Sequence, residues 1–357
     1  MTPVCFFGAY DPGYPRNRIL REGLRLAGIE VLEARVRGRK VLFRYPALAL
    51  AFARRARRAG VVLVPEFRHK DMPLARLLAG RRRLVFDPLV SRHDTLVGDW
   101  GLHAEDSFQA RWNLAIDRAA LKRADLVLCD TWAHGALFES LGVPRARLTR
   151  VLVGAESMFF AVPPTRPAPA VQIVYIGGFL PLHGTLTVVE ALARLERESG
   201  LPEFRCELVG KGIEFDAARR LAREAGLKRT DFTGPVPYDD SPHVLARAHI
   251  VLGAFGAGAK AGRVIPHKVY QGVAAGRAVI TGDGPGLREV FEPELHLCAV
   301  PRGDAAALAA ALSRLVRDAA LRERLASGGR ARALEIATPE RIGAGLREAL
   351  ERLEAVH

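Results

Sequence analysis

Cysteine is scarce in this 357-residue chain, and its copies are scattered. Cys5, Cys129, Cys206 and Cys298 form no CxxC pair, and each sits in an apolar run (VCFF, LVLCD, RCELV, LHLCAV). They read as buried free thiols in strands, which fits a reducing cytoplasm. Long hydrophobic runs are also missing. No apolar stretch approaches the roughly 18 to 20 residues that span a bilayer. The first residues, MTPVCFFGAY, have no basic n-region and turn polar at Asp11, so they read as a first buried strand and not as a signal peptide. No HxxxH pair or DxD triplet suggests a bound metal. The nearest candidate, DDSPH (239–243), reads as a helix cap. Acidic residues are outnumbered, 39 against 53 basic ones, for a net charge of +14. Arginine far outnumbers lysine, and basic clusters stand at 35–40, 54–58 and 81–83. Such a field attracts polyanions: nucleic acid, anionic headgroups or phosphorylated substrates. The plain alternative is a solvated surface. No RNA- or DNA-binding module and no basic–aromatic interleaving is present, so no specific nucleic acid is expected.

What is present is the composition of a globular protein, 49% hydrophobic and 26% charged, with a length that suits two domains. Apolar strand-like runs alternate with helical spacing. The first half offers runs at 4–8, 29–34, 61–65, 83–87, 125–130 and 148–154. The second offers 171–178, 204–210, 231–234, 249–255, 278–283 and 295–301. Continuous apolar strands separated by helices predict parallel sheets covered on both faces. The fold class expected is α/β, two doubly wound Rossmann-like domains facing a central cleft. Domain limits fall at 1–160 and 171–335, with AVPPTRPAPA (161–170) as linker. A last amphipathic helix within 336–357 is expected to pack back on the first domain.

Ligands of such sheets bind outside the carboxyl ends of the strands. In the second half, YIGGFLPLHG closes a strand on Gly177 and Gly178 and opens a helix near His183 and Gly184. A glycine turn before a helix N-terminus admits a phosphate, although a tight turn alone also explains it. A second glycine-rich loop, after the strand at 249–255, is followed by Lys260, Arg263 and Lys268, with Pro266 suited to a helix start. Three cations there suit a diphosphate.

These segments carry a family resemblance. IPHKVYQGVAAGRAVITGDGPGLREVF (265–291) resembles the donor-binding segment of glycosyltransferase family 4: a Pro-x-Lys helix, an Ala-x-Gly turn, a buried strand, then Pro-Gly-x-x-Glu. VLVGAESMFF resembles its interdomain crossing, YIGGFLPLHG its first C-domain strand, ELVGKG (with Lys211) its second, and HLCAVPRGDAAALAAAL its late Pro-x-Gly-Asp segment. The resemblance implies the GT-B fold and transfer of a sugar, with retention, from a nucleotide-diphosphate sugar to an acceptor hydroxyl in glycan, glycolipid or polysaccharide synthesis. No cofactor is expected to be required, and a UDP-sugar is favoured over a GDP-sugar as the donor. The family's two glutamates, with seven residues between them, are Arg263 and Gln271 here. Its basic pair after the first C-domain strand is replaced by His183 alone. Neutralisation of the diphosphate is therefore expected from Lys260, Arg263 and Lys268, with Gln271 on the ribose. A nucleotide-sugar epimerase or hydrolase is the alternative the fold leaves open, and a basic nucleic-acid-binding protein is the alternative suggested by the charge.

In the first half, GAYDPGYPRN places Gly8, Gly13, Arg16 and Asn17 after the first strand, as a loop able to close over the donor. FDPLVSRHDT follows the fourth strand and supplies Asp87, His93 and Asp94 as the catalytic candidates. Asp130 and His134, in CDTWAHG, follow the fifth, where helix capping by Asp130 or Thr131 is the favoured reading. VLFRYPALALAFARRARRAG (41–60) is apolar and then basic, as a helix lying on an anionic membrane surface would be; a core-packing helix with a basic end is the alternative. The expected location is the cytoplasm, with the inner membrane face as the surface such a helix would meet and a lipid-linked acceptor among the candidates.

Overall fold

The computed structural model describes residues 2–38, 40–165 and 168–355. Arg39 of the basic cluster at 35–40, Arg166 and Pro167 of the expected linker, and the last two residues of the expected final helix segment lie outside the described residues. The chain forms two compact units, Met1–Gly154 with Pro339–His357, and Ala155–Thr338.

The first unit holds β1 (Val4–Gly8), β2 (Val31–Arg35), β3 (Val61–Val64), β4 (Arg83–Phe86), β5 (Leu126–Cys129) and β6 (Leu148–Arg150). They form one parallel sheet in the order β2-β1-β3-β4-β5-β6. Its helices are α1 (Pro15–Leu26), α2 (Val41–Arg55), α3 (Met72–Ala79), α4 (Phe108–Arg123) and α5 (Trp132–Ser140). Alternate residues of the strands serve two cores. Cys5, Phe7, Val62, Val64 and Phe86 pack on one face, and Val4, Phe6, Val61, Leu63 and Val85 on the other. Burial of both faces is why these runs are continuously apolar. All four cysteines of the chain are buried and free.

The second unit repeats the plan. α6 (Ser157–Phe160) precedes β7 (Val171–Gly178), α7 (Thr185–Arg197), β8 (Phe204–Lys211), α8 (Phe215–Glu224) and β9 (Thr230–Thr233). Then come α9 (Ser241–Ala246), β10 (Ile250–Leu252), α10 (Ala259–Arg263), α11 (His267–Ala274), β11 (Ala278–Gly282) and α12 (Pro285–Arg288). β12 (Cys298–Val300), α13 (Ala305–Arg317) and α14 (Ala319–Ile336) complete it. The parallel order is β12-β11-β10-β7-β8-β9. The chain starts at β7, builds outward through β8 and β9, then crosses back to set β10 on the other flank of β7. This reversal is the topological switch point, where two loops diverge and leave a crevice.

Each of the twelve sequence-expected strands is present, most of them a few residues shorter at the ends. The seam is different. The units part at Gly154 and Ala155, so the proline-rich stretch lies within the second unit and is not the boundary between the two. The reason is a set of tethers before β7. Buried Arg277 donates to the Pro163 carbonyl at 2.6 Å and to the Leu245 carbonyl at 2.8 Å. Phe159 is fully buried, and Tyr238 donates to Glu156 at 2.6 Å. The last helix, α15 (Pro339–Ala355), belongs to the first unit and packs along α1 through Ile342, Leu346 and Leu350.

Candidate active site

At the switch point of the second sheet, the loops after β7 and β10 are tied side by side. Phe255 N donates to His183 O at 3.0 Å, and Gly256 N to Leu182 O at 3.2 Å. Gly184 makes the approach possible. Its φ of 62° is left-handed, and a Cβ there would lie 2.6 Å from Gly256 N and the Phe255 carbonyl carbon. α7 then begins at Thr185, with its N-terminal N–H groups beside the loop, the polarity that favours an anion.

Lys268 enters this region from the first turn of α11. Its Nζ lies 3.7 Å from the centroid of the Tyr175 ring. It lies 3.0 Å from where a Cβ on Gly177 would stand, so the absence of a side chain at Gly177 gives the ammonium its room. The residue is 5% exposed, and Nζ has no hydrogen-bond partner among the described residues. Burial alone pushes its pKa well below the ordinary lysine value. A cation held over one aromatic face recovers part of its lost hydration, but three N–H donors remain unmet. An anion would meet them.

His183 is buried beside it. Nδ1 sits 2.5 Å from the Gly178 carbonyl oxygen, so Nδ1 carries the proton and donates to it. Burial, then the charges of Lys268 and Lys260, hold the ring well below the usual histidine range. The imidazole is neutral and its N–H is engaged. This corrects the expectation that His183 donates to phosphate: here it braces the glycine turn. Tyr175 OH also donates to Gly178 O, and burial pushes its pKa up. Lys260, 6% exposed, lies on α10, and Arg263 is half-buried at that helix's end. Lys211 ends β8 opposite Gly178 in the ladder, with its side chain exposed.

Gln271, expected on the ribose, is held through its amide nitrogen. Its Nε2 donates to Tyr238 OH at 2.7 Å, and Tyr238 donates onward to Glu156. This chain anchors the segment before β7. Tyr175 lies in YIGGFLPLHG and Glu156 in VLVGAESMFF, but neither motif singles out the side chain, and Tyr238 lies in no motif.

In the first unit the structure separates the catalytic candidates. Asp87 is 1% exposed and accepts from Arg16 at 2.9 and 3.2 Å, while Arg16 also donates to Leu152 O at 2.6 Å. Arg16 is fully buried, so neither residue is free for a substrate, and Asp87 is withdrawn as a catalytic candidate. Arg16 and Asn17 lie in the first turn of α1 and not on a loop able to close. Asn17 is fully buried and donates to Glu66 at 2.8 Å. Gly13 remains on an exposed turn, its N–H donating to Asp11 Oδ1 at 2.8 Å. Gly8 closes β1, its backbone packed against Arg68 and Asp71. Glu66, which has no sequence motif, is 1% exposed, and burial pushes its pKa up to about 8.

His93 and Asp94 are half-buried and open a π-helical turn, Asp94–Asp99. Their backbone N–H groups are held by Asp117 and Ser91, at 2.9 and 3.0 Å. The His93 ring makes no hydrogen bond among the described residues. Thr131 caps α5, accepting from His134 N at 3.0 Å, while Asp130 Oδ1 meets His134 Nδ1 at 2.5 Å in a buried pair. Among the described residues, no group of three His, Cys, Asp or Glu could hold a metal ion.

Residues 163–332 match the family model described as glycosyl transferases group 1. The chain is similar to 2-deoxystreptamine N-acetyl-D-glucosaminyltransferase of Streptomyces fradiae, 29% identical over 336 residues, covering 86% of this chain and 76% of that one. It is also similar to the lipopolysaccharide core biosynthesis glycosyltransferase LpsD of Rhizobium meliloti, 31% identical over 46% of this chain and 44% of that one. In fold it is similar to HepE of Anabaena, solved in complex with UDP and glucose (TM-score 0.73, 17% identity, 99% of this chain and 100% of that one). The sucrose-phosphate synthase of Thermosynechococcus elongatus gives a TM-score of 0.75 at 18% identity, over the whole of both chains. The matched segment spans the switch-point loops, so the second unit is similar to the glycosyl transferases group 1 family, and the chain carries the GT-B fold.

Proposed function

We propose that this glycosyltransferase takes its sugar from a nucleoside-diphosphate sugar whose diphosphate sits on Lys268 at the β7/β10 switch point. The observation that carries the reading is the buried Lys268 ammonium, which has no hydrogen-bond partner among the described residues and stands beside Gly177. Lys260 and Arg263 stand on the neighbouring α10 as the second and third cations. Three positive charges around a departing diphosphate supply the stabilisation that a divalent ion can otherwise provide, so transfer is expected to persist in EDTA. UDP is the expected nucleotide; HepE, similar in fold, was solved with UDP. The acceptor is a hydroxyl of a growing glycan or glycoconjugate. The family resemblance supports retention at the anomeric carbon.

Calorimetry with UDP and GDP tests the assignment. Lys268→Ala should weaken UDP binding by about 1.5 to 3 kcal/mol, the scale of a hydrogen bond to a charged group. Wild-type affinity should be higher for UDP than for GDP. An unchanged UDP affinity in the variant removes Lys268 from the donor site.

A further inference from the structure

We propose that α2 and α4 of the first unit form a face that docks on a bilayer carrying anionic headgroups. From Val41 to Ala53, the exposed positions of α2 are Leu42, Phe43, Pro46, Leu50 and Ala53, none of them charged. Leu42 is 78% exposed and Phe43 63%. The one charge in that span, Arg44, is drawn inward, its Nε donating to Asp71 at 2.7 Å. Leu48 and Phe52 pack on the core side. A helix on a globular surface ordinarily turns charge to water; this one turns an apolar stripe outward and then ends in exposed Arg54 and Arg55, with Arg57 just beyond.

α4 extends the face. A groove of about 350 Å³, lined by Val41, Tyr45, Pro73, Trp112, Ile116 and Ala119, runs between the two helices. Phe108 and Trp112 are 67% and 55% exposed and stack with ring centroids 6.4 Å apart. The exposed charges of α4 are Arg111, Arg118, Lys122 and Arg123; its one acidic residue, Asp117, is buried. Every exposed charge on both helices is therefore basic. A second copy of this chain would bring the same basic rim and repel it, whereas anionic headgroups complement it. Exposed aromatic and aliphatic side chains beside arginines suit the headgroup boundary, where rings and short apolar chains insert. No helix among the described residues is long and apolar enough to cross a membrane, so the contact proposed is with the surface.

The full chain is sedimented with phosphatidylcholine vesicles, with and without phosphatidylglycerol. Binding is expected with the anionic vesicles only and should fall about tenfold or more in high salt, which screens exposed charges. Phe43→Ser combined with Trp112→Ser should abolish it. Arg54→Gln, Arg55→Gln and Arg57→Gln together should weaken it about a hundredfold. Both variants should keep the wild-type melting temperature, which separates lost docking from lost fold and leaves the test independent of the donor reading. Equal partition into both vesicle types, no partition at all, or full binding by the arginine variant overturns the proposal. A wild-type oligomer that the Phe43/Trp112 variant converts to monomer also overturns it, by assigning the face to self-association.

Discussion

Single residues at the strand ends of the two units follow opposite logic. In the second unit Lys268 is buried with its charge unmet, as a binding group awaiting an anion is. In the first, Arg16 is buried and donates to Asp87 and to Leu152 O, which is structural use of an ion pair. Glu66 is a third kind, a buried carboxyl with its pKa pushed up from 4.5 to about 8, by burial first. The sign of its linkage is set by proton count. Between those two values the folded chain holds a proton that the unfolded chain has released. Its contribution to stability is full below about pH 4.5 and is lost as pH rises through about 8. Glu66→Gln has no such proton to lose. The melting temperature of the wild type should therefore fall relative to Glu66→Gln between about pH 5 and about pH 9. Parallel melting curves across that range would show that Glu66 is not buried in the acid form.

Two helices come into backbone contact where α15 returns to α1. A Cβ on Gly343 would stand 2.0 Å from Gly23 O, and one on Gly23 would stand 2.5 Å from Pro339 O. The two backbones touch, and Leu346, Leu350, Leu20 and Leu24 close around the contact. Gly343→Ala sets two effects against each other. Alanine favours the helix by about 1 kcal/mol over glycine. Forcing the helices apart in a packed core costs about 2 to 3 kcal/mol. The steric effect is larger, so the variant should lose about 1 to 2 kcal/mol in urea unfolding. A midpoint equal to or above the wild type would mean that the helices slide apart freely. α15 is expected to separate first, because it closes the first unit from the far end of the chain.

For the whole molecule, the second unit carries the family match and the clustered cations, and the first carries His93, Asp94 and the Asp130–His134 pair. We predict a division of labour in which donor affinity belongs to the second unit and turnover depends on the first. His93→Ala and Asp94→Ala should lower kcat about a hundredfold, the lower range for a lost acid–base group, and leave the UDP affinity unchanged. The assay needs a saturating acceptor, because either side chain can instead orient the acceptor hydroxyl. Wild-type kcat in both variants would transfer the role to the Asp130–His134 pair, whose contact at 2.5 Å leaves one imidazole nitrogen for other use.

The alternation of apolar runs with helical spacing was enough to establish two parallel sheets, because a strand covered on both faces must be apolar along its length. The glycine turn at 177–184 and the Pro-x-Lys helix at 266–268 were legible for a similar reason: backbone approach and helix entry demand particular residues in sequence order. Side-chain partnership was not legible. Arg16 and Asp87 are far apart in the chain, and only the alignment of β1 with β4 through β3 brings them together and removes Asp87 from chemistry. Gln271 reads as a ribose ligand in the sequence, and nothing there shows that Tyr238 and Glu156 arrive from other segments to hold its amide nitrogen. The proline-rich stretch reads as a seam until Arg277 ties Pro163 to the second unit. Lys268 was one cation among three in the sequence; burial against Tyr175 singled it out. Local pattern determines which elements form, since period and turn chemistry are local. Which polar groups are already paired depends on contacts between distant segments, and that was decided by the tertiary structure alone.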